Sequence, residues 1–303
     1  MRIAYFGLPL AALLLLEDGL DIDIDIAVLS RTDAVGRRRL TRRLGQERVF
    51  ARGDLSHDEL SARLREQPPD LLVSWFWTTK LPRALLQTAK MGGIGVHPSL
   101  LPRHRGPDPY FAAIDSGDAV TGVTVHRVDE EYDTGPILAS LELPIDSSWN
   151  AWQLARKLDR PSLALLRETL KRMAEGEAMS ERPQDEARAS WAPLPSLSDC
   201  ALRWSWPTEK LLRRIRALSP APGAFTEIHG KVLTVLSAKA ASEFPRVLLP
   251  GEAALVGQGP SGVAVVRSGD GAVELVRGEI DGTVLEADGL ATLVARGRDL
   301  VIG

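Results

Sequence analysis

Two residues have the chemistry to move a proton near neutral pH. His97 lies in Gly95-Val96-His97-Pro98-Ser99-Leu100-Leu101-Pro102, and Asp133 follows 36 residues later in Asp129-Glu130-Glu131-Tyr132-Asp133-Thr134-Gly135. A carboxylate beside an imidazole orients the ring and raises its basicity, so the pair suits general acid–base work. Taken alone, a loop histidine is more often structural, and Asp-Thr-Gly is good turn chemistry. The other histidines, His57, His104, His126 and His229, read as surface or packing residues, with His104 and His126 candidates for a place near the site. The five histidines show no metal-ligand spacing, and a lone Cys200 cannot build a cysteine-based zinc site, so no metal is expected.

The elements that must hold these residues follow from the hydrophobic pattern. Arg2 to Phe6, Ile22 to Leu29, Leu71 to Phe76 and Ile94-Gly95-Val96 read as strands, with helical patterns at Leu10 to Glu17, Ser56 to Glu66 and Pro82 to Ala89. This alternation predicts an α/β fold: a Rossmann-like, mostly parallel sheet with helices on both faces. Ligands of such sheets bind at the carboxyl ends of strands, which is where His97 falls. Gly7 stands alone after the first strand, GxGxxG is absent, and NAD is not expected. Val123 to Val128 and Ile137 to Leu143 read as further strands. Asn150 to Gly176 reads as a long amphipathic helix interrupted near Pro161, with Trp149 and Trp152 as core anchors.

The pattern divides the chain into a Rossmann-like domain over 1–180, an extended linker rich in proline and polar residues over 181–206, and a C-terminal domain over 207–303. Trp204 to Leu218 reads as a helix, or a strand end leading into one. Beyond Pro220-Ala221-Pro222-Gly223, short apolar runs at Val232 to Leu236, Val263 to Val266, Val273 to Val276 and Leu290 to Val294 alternate with glycine-rich turns, as in a small OB-like β-barrel.

Several stretches resemble the folate-dependent formyltransferases, a family acting on methionyl-tRNA or on amino sugars. They are HPSLLP at 97–102, Arg105-Gly106, TGVTVHRVDEEYDTGPI at 121–137, Gln184-Asp185, LRWSWP at 202–207 and IRALSPAPGAF at 215–225. The resemblance implies formyl transfer from 10-formyltetrahydrofolate, a tetrahydrofolate co-substrate, to an amine. It also implies a catalytic trio of an asparagine, a histidine two residues later and the aspartate of the DTG turn. Position by position these are Gly95, His97 and Asp133, so the asparagine position carries no side chain. Three segments correspond to folate contacts: Thr79-Lys80-Leu81, Ser99-Leu100-Leu101-Pro102 and Asp129-Glu130-Glu131-Tyr132. Trp75 or Trp77 offers an aromatic wall for the folate ring, or else belongs to the core.

Amine attack on a formyl carbon puts negative charge on the carbonyl oxygen, and the family asparagine is expected to donate to it. Loss of one such donor typically costs about 10²–10³ in rate. The resemblance with Gly95 therefore implies weakened formyl transfer. The alternatives are a repurposed enzyme of specialised-metabolite biosynthesis and a non-catalytic folate-binding protein.

Length and composition set outer bounds. The 303 residues suit two domains, and 44% hydrophobic content is ordinary for a soluble globular protein. The lone cysteine fits a cytoplasmic location, no secretory signal is expected, and Leu10 to Leu16 is too short to span a bilayer. A net charge of −3 gives no global sign of nucleic acid. Locally, Arg31 to Arg52 carries eight arginines against Asp33 and Glu47, a balance of +6, and tRNA is a candidate partner through that stretch. Residues 207–303 balance at 11 basic and 11 acidic, where a tRNA-gripping barrel should be basic, so a small-molecule amine is the leading acceptor.

Overall fold

The computed structural model describes residues 1–17, 19–31, 33–257 and 262–295. Strands β1 (Arg2–Gly7), β2 (Asp23–Leu29), β3 (Val49–Ala51), β4 (Leu71–Trp75), β5 (Gly93–His97), β6 (Val120–Arg127) and β7 (Ile137–Pro144) form one sheet in the order β3-β2-β1-β4-β5-β6-β7. Pairings from β3 through β5 are parallel, and β6 and β7 add on antiparallel. The expected mostly parallel sheet is present. Ile3 to Phe6 are buried as a continuous run, as a strand covered on both faces requires. From β1 the chain winds outward through β2 and β3, then returns to β4 on the other side of β1. That reversal opens a crevice beyond the strand ends.

The connecting helices are α1 (Pro9–Glu17), α2 (Arg37–Leu44), α3 (His57–Glu66) and α4 (Arg83–Leu86), followed by α5 (Pro109–Ser116) and α6 (Ala151–Ala174). Helix α3 begins at a capping box in which Ser56 and Glu59 satisfy each other's backbone N–H. Helix α6 is continuous through Pro161, which corrects the expected interruption. Proline removes one backbone donor there. The fully buried stripe Leu154, Leu158, Leu166 and Leu170 holds the helix together across that gap. Trp152 is 54% exposed and Trp149 precedes the helix half-buried, so the core anchors are these leucines rather than the tryptophans.

Contacts divide the chain into two compact units, Met1–Pro109 with Val120–Pro144 and Arg156–Ala192, and Tyr110–Ala119 with Ile145–Ala155 and Pro193–Gly303. The second contains α7 (Leu197–Cys200), α8 (Thr208–Leu218), β8 (Ala224–Ile228), β9 (Lys231–Ala240), β10 (Ala253–Val256), β11 (Val263–Arg267), β12 (Ala272–Ile280), β13 (Thr283–Glu286) and α9 (Ala287–Ala295). Its sheet is antiparallel, ordered β10-β11-β12-β9-β8, with β13 also paired to β12. Two-residue hairpins at His229-Gly230 and Asp281-Gly282 have both φ angles positive, the geometry that Asp-Gly sequences favour. Arg214 makes a paired contact to Asp115 (2.6 and 2.9 Å), tying α8 to α5. Leu290 to Val294, expected as a strand, belongs to α9; Leu290, Ala291 and Val294 are its buried face, at helical spacing. Among the described residues no helix is long and apolar enough to cross a membrane.

Candidate active site

His97 is the last residue of β5, and the chain reverses immediately after it. Ser99 is fully buried: its hydroxyl donates to Arg103 O (2.6 Å) and its carbonyl accepts from Thr124 Oγ1 (2.7 Å). The Leu101 N–H donates to the same threonine hydroxyl (3.1 Å), and Thr124 is the β6 partner of His97. The turn is thereby bolted to the strand beside it. Ser99, Leu100, Leu101 and Pro102 build this turn and do not line the neighbouring cleft.

A second set of bonds fixes the far side of the turn. Residues 190–192 run alongside 102–108, with Ser190 N–H to Pro102 O, Arg105 N–H to Ser190 O, and Ala192 N–H to Arg105 O. Ser190 Oγ also accepts from the His104 N–H (2.9 Å). His104 has φ +56°, so its carbonyl is set by a backbone that this strap holds. That carbonyl accepts from His97 Nε2 at 2.7 Å. A carbonyl only accepts, so Nε2 carries the proton and Nδ1 is the free nitrogen of the neutral ring.

The DTG turn is determined residue by residue. Asp133 takes a left-handed φ of +57°, tolerable for aspartate. Thr134 Oγ1 donates to both carboxylate oxygens of Asp129 (2.7 and 2.8 Å). A Cβ on Gly135 would sit 2.0 Å from Arg127 O, so only glycine fits. Gln184 Nε2 donates to both Asp133 O and Gly135 O at 2.8 Å. Arg105 in turn holds Gln184 Oε1 and the Glu186 carboxylate at 2.7–3.0 Å.

The Asp133 carboxylate accepts from the Gly106 N–H at 2.9 Å and faces two imidazoles: His97 Nδ1 at 3.4 Å from Oδ2, and His126 Nε2 at 3.5 Å from Oδ1. His126 Nδ1 donates to Arg127 O at 2.7 Å, so it too has spent one nitrogen on a backbone carbonyl. Burial lowers the His97 pKa below the ordinary histidine value, against the pull of Asp133 and of the His104 carbonyl. Burial works to raise Asp133, but His97, His126 and the Gly106 N–H outweigh it and hold the carboxyl well below the usual range. The site is thus an ionised carboxylate with a neutral His97 beside it.

Gly95 is the β5 partner of His126 in register, and a Cβ added to it would lie 2.8 Å from His126 Nε2. The ring occupies the volume that a side chain at position 95 would need. In the sequence His126 is one polar residue of a strand; the signal that finds it is the pairing of β5 with β6.

Gly95, His97, His126 and Asp133 line a cleft with Phe76, Trp77, Thr79, Lys80, Leu81, Asp129, Glu131 and Tyr132. Lys80 pairs with Glu131 (2.8 Å) and lies 5.3 Å from the Tyr132 ring centroid. Glu130 lies outside the cleft lining and pairs with Arg83. Trp75 is core, stacked on Phe76, while Trp77 packs edge-on to Phe6 at the cleft wall. The Trp77 Nε1 is buried with no hydrogen-bond partner among the described residues. Such an unsatisfied donor fits a ligand bearing carbonyl or ring-nitrogen acceptors.

Residues 19–170 match the Formyl transferase family and residues 196–290 match the Formyl transferase, C-terminal domain family. The methionyl-tRNA formyltransferase of Sorangium cellulosum (strain So ce56) is 32% identical over 292 residues, covering 93% of each chain. That of Synechococcus sp. (strain JA-3-3Ab) is 34% identical over 298 residues, covering 93% of this chain and 92% of the relative. Among solved structures, the N-formyltransferase from Helicobacter canadensis in complex with folinic acid and dTDP-3-aminofucose has a TM-score of 0.66 at 14% identity, covering 91% of this chain and 98% of that one. HypX from Aquifex aeolicus in complex with tetrahydrofolic acid has a TM-score of 0.64 at 22% identity, covering 98% of this chain and 48% of that one. The two structural likenesses establish a common fold. With both family matches in chain order and relatives aligned end to end, the chain belongs to the formyl transferase family of transferases.

Proposed function

We propose that this chain transfers a formyl group from 10-formyltetrahydrofolate to an amine. The observation that carries the reading is the buried His97–Asp133 contact at the wall of a cleft that Thr79, Lys80, Leu81, Asp129, Glu131 and Tyr132 also line. When bound, the folate supplies an activated formyl carbon. His97 Nδ1 accepts the proton of the attacking amine, because Nε2 is held by His104 O. The His104 carbonyl orients that ring, and Asp133, ionised and fixed by the Gly106 N–H, stabilises it as it gains charge. Trp77 lines the cleft, and its indole N–H has no hydrogen-bond partner among the described residues. Folate complexes of structures sharing this fold are in keeping with the proposal.

Two observations bear on the acceptor. The arginines of α2 and the likeness to methionyl-tRNA formyltransferases favour an aminoacyl-tRNA, while the balanced charge of residues 207–303 favours a small-molecule amine. The test is release of tetrahydrofolate from 10-formyltetrahydrofolate in the presence of methionyl-tRNA or of amino-sugar nucleotides. Amine-dependent release that is lost in His97→Gln is the expected result. Gly95 favours a second reading, in which folate binds without transfer. Tight folate binding with no release towards any acceptor would select that reading over the first.

A further inference from the structure

His126 stands in the space of a missing side chain and faces a carboxylate that another histidine also faces. Its Nδ1 is committed to Arg127 O, its Nε2 is 3.5 Å from Asp133 Oδ1, and that same nitrogen is 2.8 Å from where a Cβ of residue 95 would be. His97 mirrors it on the other carboxylate oxygen, with Nε2 on His104 O and Nδ1 3.4 Å from Oδ2. With one nitrogen of each ring already donating, a neutral ring turns only a lone pair towards Asp133. A single added proton replaces one of these two repulsive contacts with an imidazolium–carboxylate pair, and a second proton would set two cations side by side in a buried site.

We infer that His97, Asp133 and His126 form one proton-sharing unit, in which His126 is a catalytic donor that takes over the oxyanion-stabilising place left vacant at Gly95. The donor role rests on the formyl-transfer reading; the shared proton does not. In the transfer, the unit's shared proton sits on His126; the amine nitrogen bonds to the formyl carbon and the C=O π pair moves onto oxygen, where the Nε2–H of that protonated ring donates to it. His97 Nδ1 takes the amine's proton, and the second positive charge this creates is balanced by the oxyanion as the first is by Asp133. The electron pair then returns to re-form C=O as the bond to the donor nitrogen breaks, and that nitrogen receives the proton from His97, leaving formamide and tetrahydrofolate.

The groups facing the His126 ring are Asp133, His97 beyond it and His104 behind His97. Across the cleft, Lys80 and Glu131 neutralise each other, Asp129 is satisfied by Thr134, and Tyr132 completes the wall. The pH response of the unit is therefore governed by the two rings and one carboxylate.

Two substitutions separate donation from packing. His126→Phe keeps a ring in the space beside Gly95 without a donor, and His126→Gln keeps a neutral N–H near the position of Nε2. With folding checked by thermal melts, His126→Phe is expected to lower kcat/KM about 10²–10³-fold. His126→Gln should retain activity within about tenfold of wild type by the same donor logic. Equal activity in wild type, His126→Phe and His126→Gln overturns the donor role. A turnover-independent measurement decides the shared proton: ring ¹⁵N NMR of the full chain is expected to show the His97 titration moving upward in His126→Phe. An unmoved His97 overturns the unit. A wild type that releases no tetrahydrofolate with any acceptor sinks the formyl-transfer reading and the donor role with it, while the NMR result still stands or falls independently.

Discussion

Burial governs the protonation of His97, because a charged ring inside the protein loses water that Asp133 replaces only in part. The net displacement is downward from the ordinary value near 6.5. A general base must be neutral to act, so a lowered pKa extends its working range towards acid. The acid limb of kcat/KM, which reports the free enzyme, should therefore lie below about pH 6.5. An acid limb above that value would contradict the burial argument. The same scale shows what the sequence discloses. His97 and Asp133 are legible because HPSLLP and DTG are local strings with local consequences. His126 is legible only as a candidate for a place near the site, since its position opposite Gly95 across β5 and β6 is a register that depends on tertiary pairing.

At the level of elements, the site depends on a strap that looks like a linker. Prolines and polar residues mark 181–206 as an extended linker; the segment includes a 3₁₀ turn at Glu186–Arg188 and helix α7, and its hydrogen bonds to 102–108 and to the DTG turn are invisible in composition. Gln184→Ala removes the donors to Asp133 O and Gly135 O together. Leaving such carbonyls without partners costs about 1–3 kcal/mol. A loosened Asp133 should also lower kcat more than it raises KM, which steady-state kinetics beside a chemical melt will separate. Helix α6 gives the opposite case. Its burial stripe overrides an internal proline, so the sequence expectation of a break failed where packing outweighed propensity. Pro161→Ala restores a backbone donor to the helix, where proline is disfavoured by about 3 kcal/mol relative to alanine. The melting temperature should rise; a fall would mean that the ring itself is needed for packing.

Across the molecule, a formal charge of −3 conceals a strongly uneven distribution, because eight arginines fall within 31–52. Six of those arginines fall into two groups, while Arg52 reaches the Thr78 hydroxyl. Arg31 pairs with Asp33, Arg39 with Glu17 and Arg48 with Asp23, which spends them on the protein itself. Arg38, Arg42 and Arg43 on α2 have no ion pair among the described residues, while Leu40 and Leu44 face the core. A charge face of this kind binds a phosphate backbone by displacing counterions, with a log–log salt slope of about 0.7–0.9 per phosphate neutralised. If aminoacyl-tRNA is the acceptor, Arg38→Ala/Arg42→Ala/Arg43→Ala should weaken tRNA binding and flatten its salt slope by roughly 2–3 in those units. The chemistry at His97 lies outside the substituted face, so kcat at saturating tRNA should change little while KM rises. A triple variant with unaltered KM and salt slope for methionyl-tRNA would assign α2 to the solvent and leave the small-molecule amine as the acceptor.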